Sequence, residues 1–88
     1  MSKKQSISKK GTWEVIMYDD ELIHVDHVID CLLEICGHGH IQAVQCTYLV
    51  HHKGQCSIYT NQWDICNEVL RELLEEGLTV TLSKCKKS

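Results

Sequence analysis

The stretch Ile65–Leu82, ICNEVLRELLEEGLTVTL, decides the class of fold. Ile65, Cys66, Val69, Leu70, Leu73 and Leu74 recur at three- and four-residue spacing, which places them on one face of an α-helix. Gly77 stands where a helix closes on a left-handed residue. Beyond it Leu78, Val80 and Leu82 alternate with Thr79 and Thr81, the period of a strand. Just upstream, Thr60 or Asn61 offers an N-cap, and Asp64 sits in the first turn where the helix dipole favours an anion.

Working outward, Gln55–Thr60 (QCSIYT) sets Cys56 and Ile58 between polar neighbours and reads as another strand. Before it, Ile41, Val44, Tyr48 and His51 fall on one continuous helical face, which puts His51 in the last turn on the side of the apolar stripe, and Gly54 ends that helix. His38–His40 connect it to an earlier helix carrying Val25, Val28, Ile29, Leu32, Ile35 and Cys36 and closed by Gly37. Thr12–Tyr18 (TWEVIMY) is a strand, and its outward Ile16 suggests cover on both faces. The acidic run Asp19-Asp20-Glu21 ends it. The order strand, helix, helix, strand, helix, strand predicts an α+β domain built on a small antiparallel sheet with helices on a face. Residues 1–11 read as a polar, basic tail, 12–83 as the domain and 84–88 as a second basic tail.

Composition sets outer bounds. A chain of 88 residues is one domain with one core, burying about 60–65% of its unfolded surface. Apolar residues at 43% and charged residues at 24% are globular values. Twelve acidic against nine basic residues give −3, which argues against a generic nucleic-acid binder. No apolar run reaches the ~18–20 residues of a membrane span, and no signal-peptide core follows the N-terminal lysines, so a cytoplasmic protein without membrane or nucleic-acid partners is expected. There is no phosphate loop, dinucleotide fingerprint or nucleophile elbow, so no enzyme and no cofactor are expected.

Six cysteines and six histidines allow a second reading. Cys36-Gly-His38-Gly-His40, with Cys31 or Asp30 as a fourth donor, has the ligand types of a zinc site, and a small metal-binding domain is the alternative function. No C-x-x-C pair is present, and structural zinc sites draw ligands from two places. The preferred reading makes this stretch an inter-helix connection, assigns no metal ligands, and packs Cys31, Cys46 and Cys66 as small hydrophobes.

Three landmarks now line up: VIMYDDE (Val15–Glu21), an amphipathic helix, and Val50-His51-His52-Lys53-Gly54. The chain resembles the ClpS family, adaptors of the Clp protease that recognise destabilising N-terminal residues. In that family a hydrophobic strand ends in Asn-Asp-Asp, and Val-His-x-x-Gly follows about thirty residues later. DHVIDCLLEIC (Asp26–Cys36) and QCTYLVHHKGQC (Gln45–Cys56) extend the likeness, which spans roughly Trp13–Leu82. The resemblance implies three strands with three helices on one side, an architecture shared with the C-terminal domain of ribosomal L7/L12. It implies an adaptor that passes proteins with bulky hydrophobic N-terminal residues to a Clp AAA+ unfoldase of the ClpA or ClpC type. The resemblance also leads to the expectation of a whole adaptor domain with a shortened leading tail.

Position by position, the resemblance places the family's acidic triplet on Asp19, Asp20 and Glu21, its histidine on His51, and its pocket wall on Ile23, Val25, Val28, Thr47, Val50 and Leu78. The chemistry suits the task, because a peptide N-terminus presents an ammonium with three donors beside one large side chain. This sequence also departs from the pattern. Asp19 replaces an Asn, which removes an amide donor and adds charge; Val25 and Thr47 replace Met; Ile23-His24 replaces the usual Thr-Pro. Smaller walls imply a wider pocket and a preference shifted toward Trp, Phe or Tyr, or a blurred one.

Overall fold

A computed structural model describes residues 9–85, and what was expected of residues 1–8 and 86–88 lies outside them. The described chain runs β1 (Trp13–Tyr18), α1 (Val25–Glu34), α2 (His40–Lys53), β2 (Gln55–Asn61), α3 (Trp63–Glu75) and β3 (Val80–Lys84). The sheet is antiparallel in the order β2-β1-β3, so the first strand is central and the protein is α+β, three strands and three helices.

β1 alternates Trp13, Val15 and Met17, all buried, with half-buried Glu14, Ile16 and Tyr18. The expected cover on both faces is therefore not found. On the second face the Tyr18 hydroxyl lies 3.1 Å from Thr81 Oγ1. α3 lays Cys66, Val69 and Leu73 on the buried face, and Cys66 donates its thiol to the carbonyl of Trp13 at 3.3 Å.

α2 corrects the expectation most. The stripe Ile41, Val44, Tyr48 and His51 does share one face, but that face points to solvent, with Ile41 73% and Tyr48 65% exposed. The buried side is Ala43 and Val50, with Cys46 and Thr47 half-buried between them. A small residue at position 43 lets the helix approach its neighbours closely, and the bulky stripe is left outside. α3 also starts later than expected: Gln62, not Thr60 or Asn61, is its N-cap, while Asn61 turns its side-chain oxygen onto the Gln62 N–H at 2.8 Å.

The two helix ends that matter for the site are set by glycine. Gly54 takes φ +91° and closes α2, and its carbonyl accepts from the Asp19 N–H at 3.0 Å. Gly77 takes φ +89° after α3; its N–H bonds Leu74 O at 3.0 Å and the Leu78 N–H bonds Leu73 O at 3.1 Å. That pair of bonds is a Schellman closure, and it turns Leu78 inward just ahead of β3. Between α1 and α2, His38 is buried and its Nε2–H donates to Ile58 O at 2.6 Å. Ile58 is the residue skipped where the β1–β2 register shifts, so a bulge carbonyl ties down the inter-helix loop.

Candidate functional site

The end of β1 is clamped from both sides. Tyr18 donates to Thr79 O at 2.9 Å on the β3 side, and Asp19 donates to Gly54 O on the β2 side. The chain then turns tightly, with Ile23 N–H reaching Asp20 O at 3.1 Å, and enters α1 at the cap residue His24, whose Nδ1 accepts from Asp26 N–H. This turn, the last turns of α2 and the Leu78–Thr79 segment surround a pocket of about 250 Å³.

All ten residues expected at the site line that pocket. Val50 and Leu78 are buried in its wall. Ile23, Val28 and Thr47 are half-buried, and Thr47 spends its hydroxyl on Ala43 O at 2.8 Å, which leaves its methyl free to face inward. Val25 is 52% exposed and stands at the rim. Asp19, Asp20, Glu21 and His51 supply the polar edge. Three further lining residues escaped the sequence reading: Met17, Tyr18 and Thr79. Met17 is buried on the inward face of β1, so a methionine does reach the pocket, from the strand and not from either helix position where the family carries one.

Asp20 is the best-held acceptor. Its Oδ1 accepts from the Leu22 N–H at 3.0 Å and its Oδ2 from the Thr79 hydroxyl at 2.9 Å. Each oxygen retains a second lone-pair direction. Thr79 had no signal of its own in the sequence beyond its place in a strand pattern; only the β1–β3 pairing carries it to Asp20. His51 Nδ1 stands 3.9 Å from Asp19 Oδ1, too long for a hydrogen bond. The two groups are therefore neighbours without being locked to each other.

The zinc ligand set weighed from sequence is not assembled. Among the described residues the one group of three metal-ligating side chains within 4.8 Å of one another is His27, Cys31 and Glu76, and it excludes Cys36, His38 and His40. All six cysteines are free. Among the described residues no helix is long and apolar enough to cross a membrane.

Fold and pocket together define a small α+β domain whose cleft joins an apolar interior to an acidic mouth. The model of the ClpS family, the ATP-dependent Clp protease adaptor proteins, matches residues 8–81. The chain belongs to this family, and a Clp protease adaptor is its class. No curated protein matches the chain in sequence.

Proposed function

We propose that this adaptor captures proteins whose N-terminal residue is bulky and apolar and presents them to a Clp AAA+ unfoldase, of the ClpA or ClpC type, for degradation. The observation that carries the reading is the placement of Asp19, Asp20 and His51 at the mouth of one apolar pocket. An α-ammonium has three donors. Acceptors on His51 and Asp19 that lie 3.9 Å apart can both be reached by one nitrogen at about 2.8 Å, and Asp20 offers the third. His51 takes part through an unprotonated ring nitrogen.

The side chain enters between Val28, Val50, Leu78 and Met17. At about 250 Å³ the pocket lies below the ~300 Å³ where drug-sized sites begin, which suits one side chain and not an extended peptide. Val25 and Thr47, both smaller than methionine, favour Trp, Phe and Tyr over Leu. Replacing the family's Asn by Asp19 exchanges a hydrogen bond to the peptide carbonyl for added attraction to the ammonium. The adaptor does no chemistry on its substrate and needs no cofactor.

Fluorescence titration with peptides that differ only in their first residue tests the proposal. Peptides beginning with Trp, Phe or Tyr bind more tightly than one beginning with Leu, and Ala or Gly peptides do not bind. Equal binding of N-acetylated controls would remove ammonium recognition from the site.

A further inference from the structure

The side of the molecule where α1 meets the end of α3 carries a second concentration of chemistry. His27 Nε2 lies 3.7 Å from Cys31 Sγ and 3.6 Å from Glu76 Oε1, and all three ligand atoms fall within 4.8 Å of one another. His27 and Cys31 are one helical turn apart on α1, while Glu76 caps α3, so the group draws on two elements. A hollow around them is lined further by Asp30, Glu34, Glu72 and Glu75, with no Lys or Arg in its wall.

From this geometry we infer that His27, Cys31 and Glu76 form a binding site for a borderline-soft divalent transition cation, of which zinc is the fitting example. Zinc–sulfur and zinc–nitrogen bonds of about 2.3 and 2.0–2.1 Å at a tetrahedral angle set sulfur and nitrogen about 3.5 Å apart and nitrogen and oxygen about 3.4 Å apart. The observed 3.7 and 3.6 Å lie within a few tenths of those edges. One imidazole, one thiol and one carboxylate match zinc's preference for nitrogen and sulfur and do not suit calcium or magnesium.

Charge independently favours a cation here. The last turn of α3 has no basic residue, yet Glu72, Glu75 and Glu76 cluster at the negative end of its dipole. In the structure that end is served by His27, whose Nε2 lies 2.8 Å from Glu76 O, as a donor to that carbonyl. Metal binding requires the other neutral tautomer, with the proton on Nδ1 and the Nε2 lone pair turned to the ion. As the sulfur–metal bond forms, the Cys31 thiol releases its proton to solvent, so thiolate and carboxylate together neutralise the divalent charge.

The test uses the full chain without an affinity tag, reduced and stripped with chelator, titrated with zinc against a chromophoric competitor and separately with cobalt(II). One zinc binds per chain, and cobalt gives a thiolate-to-metal charge-transfer band. His27→Gln and Cys31→Ser each weaken zinc at least tenfold, while His38→Gln and His40→Gln leave it unchanged. His27 is a partly exposed side chain, so the folded state of His27→Gln is checked by circular dichroism and its peptide affinity is retained. Sub-stoichiometric zinc, a missing charge-transfer band, or affinity that survives His27→Gln overturns the proposal and leaves His27 as an ion-pair partner of Glu76. None of these results bears on the N-terminus pocket, which shares no residue with this cluster.

Discussion

At Asp20 the carboxylate is held by two donors from within the chain, the Leu22 amide and the Thr79 hydroxyl, before any ligand arrives. Such an acceptor is pre-oriented, and a ligand need not bear the cost of fixing it. Thr79 is therefore a positioning residue. Thr79→Val raises the Kd of a Phe-initiated peptide about fivefold, roughly 1 kcal/mol, and leaves the residual binding of the N-acetylated peptide unmoved. His51 acts directly in the proposed site. His51→Ala weakens the same peptide by at least about 1.5 kcal/mol, the cost of losing a hydrogen bond to a charged group, and an unchanged titration would take His51 out of the site. Individual letters made the acidic run legible as the end of a strand and His51 as a residue of a last helical turn, because both are local signals, whereas their expected place at a site came from the family resemblance. Thr79 and Met17 stayed hidden, since strand pairing brings Thr79 to Asp20 and β1's inward face turns Met17 into the pocket.

Among the elements, the α3–β3 junction links stability to the site. Gly77 at φ +89° has nothing within 4 Å of an added Cβ, so a substitution there meets backbone strain alone. Gly77→Ala costs about 1–2 kcal/mol, read as a fall in Tm of several degrees. Because the same closure aims Leu78 at the pocket, the variant also weakens peptide binding, which a purely global loss of stability would not do well below Tm. α2 shows where element-level reading fails. Its apolar residues are spread around the helix, so periodicity picks out the larger stripe, whereas packing chose the side with Ala43 and Val50. α1 and α3 carry most of their apolar residues on one face, and their buried sides were legible without the fold.

For the whole molecule, the buried thiols connect the core to pH. Burial, and after it the neighbouring Cys31 and Cys46 thiols and Glu72, pushes Cys36 from 9.0 up to about 12. Burial likewise raises Cys56 to about 11. A group whose pKa is raised by folding contributes fully below its unfolded value and loses that contribution as pH climbs through the folded one. With reductant and chelator present, Tm therefore falls as pH rises from 9.0 toward about 12. In Cys36→Ala the fall is shallower, measured against that variant's own Tm at about pH 8. A slope identical to the parent's would show that Cys36 does not titrate with unfolding.

The sequence by itself determined the order of the elements, the glycines that end the helices and the acidic turn, because each rests on local periodicity or on backbone freedom within a few residues. Two short motifs at a set separation carried the family resemblance, and that resemblance pointed to ten residues that line one pocket. Only the tertiary structure decided which face of α2 is buried, that Thr79 holds Asp20, and that Cys31 stands with His27 and Glu76 and not with Cys36, His38 and His40. Those outcomes depend on which distant surfaces meet. Residues 49 positions apart, such as His27 and Glu76, become neighbours through packing that no local pattern encodes.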